Sequence, residues 1–396
     1  MGFDGADQHY VNARRKIWHH IGDGGISKFR AHPGYSQYFK TEEYKSGLDE
    51  AVMNKILLKC KISDIAYYLP ERTIDNAELA SRYNGWDENK IYEKTGIRTR
   101  HVVSDTEHVS DLAVNAALEL FNKGNISPEE IGILVLCTQT PDYALPATSC
   151  LVHERLGLSK RCITFDYNQG CTGFIYGLSI VGSMIASGLA DNALIITSET
   201  YSRWSHPLDK SVTTIFGDAA AAVYVRSIKE GEGIGPFVFG TDGRGFNNLI
   251  VPNSGSHGMV HKSEEMKESM DDSGNIRSQN NLYMDGPELF RFAITAVPSM
   301  VKELLSIAGK NIEDIDKFVF HQANLYMLKN IQKILKLPDS KMICEIEDVG
   351  NTVSSSIPIA LKKAYDKGNI LIGDKLLLAG FGVGYSWAGT ILTWDS

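Results

Sequence analysis

The feature of this sequence that most restricts its fold is an internal repeat. Four segments of the first half recur in the same order in the second half: 129–139 with 313–323, 153–160 with 332–339, 166–181 with 347–362, and 187–199 with 367–381. The repeat pairs Cys137 with His321 and Cys171 with Asn351. It predicts two similar α/β halves related by a pseudo-twofold axis, which brings Cys171 and Asn351 to related positions at the junction.

The secondary structure expected from residue 60 onward is that of an α/β protein. Short apolar runs alternate with amphipathic stretches, as in sheets covered by helices. Strands are predicted within 59–70, 132–139, 193–201, 219–227, 317–322 and 375–382. Helices are predicted over 111–123, 149–156, 173–188, 286–308, 325–333 and 355–366.

Two segments depart from this pattern. Residues 1–57 are polar and rich in His, Lys, Tyr and Gly, and they are predicted to form an N-terminal extension with a helix over 47–58. The polar stretch 253–281 is predicted to be a long surface loop or lid. The domains expected are therefore the extension 1–57, a half over 58–230 with a nucleophilic cysteine, and a half over 231–396 with a histidine and an asparagine.

The composition excludes several classes of protein. The 396 residues are 43% hydrophobic and 22% charged, which is typical of a globular chain. The net charge of −8 and the lack of a basic run argue against nucleic-acid binding. No apolar run of about 20 residues predicts a membrane span. The six cysteines form no CxxC pair, so we expect a cytoplasmic enzyme with reduced thiols and no metal site.

Cys171 is the strongest candidate for a nucleophile. It stands in the sequence NQGCTGF, after a strand-like run and before a long apolar helix. The positive end of a helix dipole lowers the pKa of a cysteine, so a reactive thiolate is expected. For the other five cysteines we favour the ordinary interpretation, a small buried apolar side chain.

His321 and Asn351 are weaker candidates when each is considered alone. His321 ends a predicted buried strand beside Gln322 and Asn324, at the strand edge where α/β proteins bind ligands, yet a hydrogen-bonded core histidine fits equally. Asn351 lies in a Gly-Asn turn that opens a helix, where asparagine often serves only as a turn or cap residue. Because the repeat places both near Cys171, they form a Cys/His/Asn group with it.

From residue 60 onward the chain resembles β-ketoacyl-acyl-carrier-protein synthase III, of the thiolase-like superfamily. The motifs stand in family order: TGIRTRH (95–101), GCTGF (170–174), IFGDAAAA (215–222), HQAN (321–324), GNT (350–352) and GFGVGYSWAG (380–389). The resemblance implies a five-layered α-β-α-β-α fold, a homodimer and a role in fatty acid biosynthesis. It also implies that Cys171, His321 and Asn351 are the catalytic triad.

The resemblance further implies the reaction. An acyl group from acyl-CoA is loaded on Cys171, and a malonyl group on acyl carrier protein then loses CO2 and attacks it, giving a β-ketoacyl thioester. His321 and Asn351 would bind the enolate oxyanion, and the backbone N–H groups of Cys171 and Val383 would form a second oxyanion hole. The chemistry needs CoA and phosphopantetheine thioesters as substrates and no cofactor.

Several positions depart from the family pattern. The middle glycine of the usual Gly-Gly-Gly loop is Val383, and the basic residue after HQAN is Tyr326. By resemblance, the substrate-binding positions are Lys90, Lys94, Leu145, Lys210, Asn324 and Gly382. The three lysines stand where the family has Trp or Arg, and lysine lacks the bidentate fork of arginine. Leu145 stands where the family has an aromatic residue that gates the partner subunit's acyl pocket.

Three other functions remain open at this point. One is an acyltransferase of the same fold that delivers the acyl group to an alcohol or amine. Another is a non-decarboxylative condensing enzyme, which requires an additional glutamate base such as Glu154 or Glu199. The third is a catalytically silent scaffold. The complete Cys/His/Asn group favours decarboxylative condensation over all three.

Overall fold

The computed structural model describes residues 57–124, 126–260 and 267–395. Residues 1–56 of the predicted extension, and with them most of the helix predicted over 47–58, lie outside these residues. The last two residues of that predicted helix, 57 and 58, are described and are not helical, and Leu58 pairs with Ile234 as an isolated β-bridge.

The strands and helices are numbered in chain order. The strands are β1 Cys60–Tyr68, β2 Thr73–Asp75, β3 Thr99–His101, β4 Ile133–Cys137, β5 Ile163–Tyr167, β6 Asn192–Glu199, β7 Ala219–Ser227, β8 Phe237–Thr241, β9 Leu249–Ile250, β10 Ser269–Met270, β11 Ile276–Arg277, β12 Tyr283–Met284, β13 Lys317–Phe320, β14 Met342–Ile343, β15 Lys375–Gly382 and β16 Ser386–Thr393. The helices are α1 Asn76–Ala80, α2 Glu88–Thr95, α3 Val109–Gly124, α4 Thr148–Leu156, α5 Gly173–Ala186, α6 Lys210–Thr213, α7 Gly255–Val260, α8 Gly286–Ala308, α9 Leu325–Leu335 and α10 Ser356–Asp366.

Two five-stranded sheets have the same internal arrangement. The first has the order β1-β7-β6-β4-β5 and the second the order β8-β16-β15-β13-β14. In each sheet the first three strands are antiparallel neighbours and the last three run parallel. The fold therefore consists of two similar α/β halves, and its strands follow the repeat in the sequence.

The helices complete five layers around these sheets. Helices α5 and α10 share one apolar cluster with strands of both sheets, so they form the central layer. Helix α3 packs on the outer face of the first sheet, and α8 and α9 pack on the outer face of the second. The central helix α5 is apolar on nearly all sides because it contacts a sheet on each face.

Most of the predicted elements are present with similar bounds. The strand over 219–227 and the helix over 286–308 have the predicted ends. The prediction of one long loop over 253–281 is wrong in its described part, which contains α7 and the hairpin of β10 and β11. No helix among the described residues is long and apolar enough to cross a membrane.

Candidate active site

Cys171 lies in the tight connection between β5 and the central helix α5, and its side chain is buried. A Cβ atom at Gly173, the first residue of that helix, would lie 2.3 Å from the Cys137 Sγ and 3.4 Å from the Ser354 Cβ. Glycine is therefore required at this position for the helix to begin this close to β4 and to the second half.

The expectation that the Cys171 thiol has a lowered pKa is wrong in the free protein. Burial raises the pKa of this thiol to about 12, and the nearby Glu199 carboxylate also raises it. The backbone N–H groups of Val383 and Cys171 itself oppose that shift. A helix start does not produce a thiolate here because the loss of hydration outweighs the few dipoles that face the sulfur.

The glycine-rich motif 380–384 forms the end of β15 and the turn into β16. A Cβ atom at Gly382 would lie 2.6 Å from the Cys171 Sγ, and one at Gly380 would lie 2.7 Å from the Cys171 carbonyl oxygen. The two glycines thus let the backbone of the second half reach the cysteine. The Val383 side chain packs into the apolar cluster that contains Cys171.

His321 follows β13 directly and is buried. Its Nδ1 atom lies 2.7 Å from the Ser356 Oγ, and its ring meets Phe381 edge-on with centroids 5.5 Å apart. Burial lowers the pKa of the imidazole to about 3, and the Val353 backbone opposes this shift. The imidazole is therefore neutral at neutral pH, so Cys171 and His321 are not an ion pair in the free protein.

Asn351 is held by hydrogen bonds at both ends of its amide. Its Oδ1 atom accepts from the Val353 N–H at 2.9 Å, and its Nδ2 donates to the Ala323 carbonyl at 3.3 Å. One of the two Nδ2 hydrogens is used by Ala323, and the other remains available to donate. Val353 has φ 52, a strained conformation for a β-branched residue, in the turn that fixes this amide.

Cys171, His321 and Asn351 line one cavity at the junction of the two halves. The cavity has an empty volume of about 580 Å³ including its mouth. Most of the remaining wall is apolar, with the large side chains of Ile215, Phe216, Leu249, Met284, Leu289, Phe292, Met327 and Phe381. Such a wall with a few convergent polar groups suits an apolar ligand that carries a polar reacting centre.

Glu199 is a buried acid behind this cavity, at the end of β6. Its carboxyl accepts from the Gln139 N–H at 3.0 Å and from the Ser354 hydroxyl at 2.8 Å. Burial raises its pKa to about 8. Glu199 does not line the cavity, so it is not placed as the additional base of a non-decarboxylative enzyme. Glu154, the other glutamate considered for that role, lies in α4 and does not line the cavity either.

Comparison with known proteins gives consistent matches over this part of the chain. A family model described as 3-oxoacyl-(acyl-carrier-protein) synthase III matches residues 165–243, and a model of the C-terminal part of that synthase matches residues 305–394. The chain is 35% identical over 328 residues to a β-ketoacyl-(acyl-carrier-protein) synthase III of Caldanaerobacter subterraneus, a match that covers 83% of this chain and 96% of that protein. A relative of the same name from Clostridium tetani is 34% identical, and the match covers 84% and 98% of the two chains.

Solved structures agree with these sequence matches. A crystal structure of a 3-oxoacyl-(acyl-carrier-protein) synthase III superposes with a TM-score of 0.83 at 44% identity, covering 85% of this chain and all of the other. The Pseudomonas aeruginosa enzyme of that name superposes with a TM-score of 0.74 at 33% identity, covering 85% and 99%. The chain belongs to the β-ketoacyl-acyl-carrier-protein synthase III family.

The substrate-binding positions expected for a synthase III fall into two groups. Asn324 and Gly382 line the cavity, and the Asn324 side chain also caps α9 by accepting from the Met327 N–H at 2.8 Å. Lys90, Lys94, Lys210 and Leu145 do not line it. Lys210 instead donates to the Ser273 carbonyl of the β10–β11 hairpin, and Leu145 is 82% exposed.

Sequence comparison with the synthase III pattern missed an aromatic residue close to the two lysines of α2. Trp86 lies one turn before Lys90, and its ring centroid is 5.1 Å from the Lys90 Nζ and 5.7 Å from the Lys94 Nζ. Both lysines that the resemblance assigns to substrate binding in this segment therefore contact a tryptophan. The spacing of four residues puts Lys90 and Lys94 on one face of α2, and Trp86 lies two residues before that helix begins.

Proposed function

We propose that this protein is a decarboxylative condensing enzyme that forms a β-ketoacyl thioester from an acyl-CoA and malonyl acyl carrier protein. The observation that carries the proposal is that Cys171 of the first half and His321 and Asn351 of the second half line one apolar cavity. One group serves as nucleophile, and the other two are neutral hydrogen-bond donors. This is the set that thioester loading followed by enolate formation requires.

In the proposed loading step the Cys171 sulfur attacks the acyl carbonyl of acyl-CoA. The sulfur–carbon bond to CoA breaks, and the proton of the Cys171 thiol leaves with the CoA thiolate. The carbonyl oxygen carries negative charge in the tetrahedral intermediate. The proposed donors to this oxygen are the backbone N–H groups of Cys171 and Val383, which face the sulfur in the free protein. Gly382 permits this approach of the hairpin.

In the proposed condensation step the malonyl thioester loses CO2 and leaves an enolate. His321 and Asn351 donate hydrogen bonds to the enolate oxygen, and an anionic residue in either place would repel it. The enolate carbon attacks the acyl-cysteine and expels the Cys171 thiolate, which takes up one proton from the solvent. The cycle uses no metal or organic cofactor beyond its thioester substrates.

We also propose a homodimer, on two observations. The loop before α4 exposes Tyr143 by 60% and Leu145 by 82%, which is unusual for two neighbouring apolar side chains. Strand β5 is a sheet edge, and every one of its residues, including Phe165 and Tyr167, is half-buried. A second copy that pairs with this edge would cover both features.

The six cysteines support a cytoplasmic location, which is part of the proposal. All six are free thiols, in the part of the chain that the structure describes. Proteins of oxidising compartments generally pair such residues.

The intact-protein mass after incubation with a panel of acyl-CoAs tests the proposed function. The full chain should gain one acyl group, Cys171→Ala should gain none, and His321→Ala and Asn351→Ala should still be loaded. Addition of malonyl acyl carrier protein should then discharge the loaded unmutated protein with release of CO2. The loaded His321→Ala and Asn351→Ala variants should fail at this step.

Other outcomes would redirect the assignment. Discharge to an alcohol or amine without CO2 would favour the acyltransferase. No loading from any CoA or carrier thioester would reject the catalytic proposal and leave the scaffold.

A further inference from the structure

We propose that Ser356 is a positioning residue that fixes His321 as the tautomer with its proton on Nε2. The inference rests on the proposed function, since it concerns how His321 comes to donate a hydrogen bond to the enolate oxygen. It goes beyond the triad because Ser356 neither lines the cavity nor touches a reacting atom.

The sequence run Ser354-Ser355-Ser356 places three buried hydroxyl groups at the start of α10, of which two bond to β6 and one to His321. Ser354 donates to Glu199 at 2.8 Å, and Ser355 donates to the Thr197 carbonyl at 3.0 Å. Both of these partners belong to the first half. Only Ser356 turns toward the second half, where its Oγ lies 2.7 Å from the His321 Nδ1.

The direction of the Ser356 bond follows from its other contact. The Ser356 Oγ has two partners among the described residues, the Gln322 backbone N–H at 3.4 Å and the His321 Nδ1 at 2.7 Å. The N–H can only donate, so Nδ1 is the one partner that can accept the hydroxyl hydrogen, and a proton on Nδ1 would leave that buried hydrogen without an acceptor. An imidazole nitrogen that accepts a hydrogen bond carries no proton, so the ring proton must be on Nε2.

The tautomer matters because the buried imidazole is neutral. A charged imidazolium donates from both nitrogens, but a neutral ring has a single N–H, and the site needs it on the nitrogen opposite Ser356. If the proton were on Nδ1, the lone pair of Nε2 would face the enolate oxygen and repel it. Burial holds the ring neutral, and the pKa of His321 is lowered to about 3.

The chain offers a matched control for Ser356. Ser355 is its neighbour, is equally buried and lies at the same helix start, but its hydroxyl bonds to β6 rather than to the histidine. Ser355→Ala and Ser356→Ala remove the same atoms from adjacent positions. A loss that depends only on packing or on helix stability should therefore appear in both variants.

The first measurement is the ¹⁵N spectrum of the histidine side chains in the full chain, in which protonated and unprotonated ring nitrogens have distinct shifts. His321→Gln assigns the signals of His321. We expect a neutral Nε2–H ring in the unmutated protein and in Ser355→Ala, and a mixture of tautomers or the Nδ1–H form in Ser356→Ala. An Nδ1–H ring in the unmutated protein would overturn the inference without any kinetic data.

The second measurement separates the two half-reactions. Ser356→Ala should slow CO2 release from malonyl acyl carrier protein roughly 10- to 100-fold, the range found when the partners that orient metal-binding histidines are removed. The loading of Cys171 should change little, because His321 has no proposed part in that step. Ser356→Thr, which keeps the hydroxyl, should recover most of the rate. Equal losses in Ser356→Ala and Ser355→Ala would reject the inference, whereas failure of the unmutated protein to release CO2 would reject the proposed function instead.

Discussion

Burial controls the chemistry of the individual residues in this site. Cys171 and His321 are both enclosed at the junction, and loss of hydration disfavours the charged form of each, which raises the pKa of the thiol and lowers that of the imidazole. The resting pair is therefore neutral, in contrast to the thiolate–imidazolium pair of cysteine proteases.

The neutral pair predicts the pH dependence of alkylation by iodoacetamide. Because the pKa of the Cys171 thiol is raised to about 12, the thiol is protonated throughout the neutral range and its thiolate fraction grows with every rise in pH below that value. We expect the alkylation rate at Cys171 to climb about tenfold per pH unit between about pH 7 and 10. Peptide mass spectrometry measures this rate at Cys171 alone, with Cys171→Ala as the blank.

A rate that stays constant between about pH 5 and 8 would show a preformed ion pair and contradict the neutral state.

At the residue scale the sequence predicted which three groups come together, but not their protonation. The motifs predicted Cys171, His321 and Asn351 as a triad, and the structure brings all three to one cavity. The direction of the Cys171 pKa shift could not be predicted, because burial depends on how the hairpin and the two halves close around the sulfur. The role of Ser356 was hidden for a similar reason: a serine run at a helix start is common, and only the fold shows which hydroxyl faces the histidine.

At the scale of elements, an ion-pair cluster connects the polar stretch 253–281 to α6 of the first half. The Arg277 Nε lies 2.7 Å from the buried Asp209 Oδ2, and its NH2 group lies 2.5 Å from an Asp271 oxygen. Arg277 follows the β10–β11 turn, and Asp209 caps α6. The sequence predicted a polar loop here, but it gave no sign that a charge pair holds part of it against α6.

Removal of this arginine should destabilise the protein. In Arg277→Ala the Asp209 carboxylate remains buried without its cationic partner, and breaking such a pair costs about 3–5 kcal/mol. We expect a fall in Tm of several degrees, measured by circular dichroism.

Arg244→Ala is the matched control, because its pair with Asp242 has a 2.5 Å contact but the Arg244 side chain is 91% exposed. That variant should melt close to the unmutated protein. Equal Tm values for the two variants would contradict a stabilising role of the buried pair.

At the scale of the whole molecule, the repeat in the sequence predicted the architecture well because each half must place the same apolar strands around a shared pair of helices. The two sheets have the same strand order, and the predicted boundary at residue 230 falls between β7 and β8. Quaternary structure could not be derived in this way, since an exposed apolar loop is visible only after folding.

The proposed dimer gives a prediction at this scale. Leu145→Asp places a charge on the loop that a second copy would cover, so we expect the molar mass in solution to fall from that of a dimer to that of a monomer. Size-exclusion chromatography with light scattering measures the mass directly.

Leu371→Asp serves as the control, because Leu371 is also exposed, by 59%, but lies in another loop. A monomer in the unmutated protein, or dissociation by both substitutions, would exclude the proposed interface.

The shared central layer has a consequence for how this molecule can be divided. Helix α5 belongs to the nucleophile half and α10 to the other half, yet both contribute to one apolar cluster with strands from each sheet. Neither half can bury its inner helix by itself, so a cut between β7 and β8 would expose an apolar face of each piece to water. We therefore expect the two copies of the repeat to fold as a single cooperative unit. A separated half would lack part of the cavity that holds Cys171, His321 and Asn351.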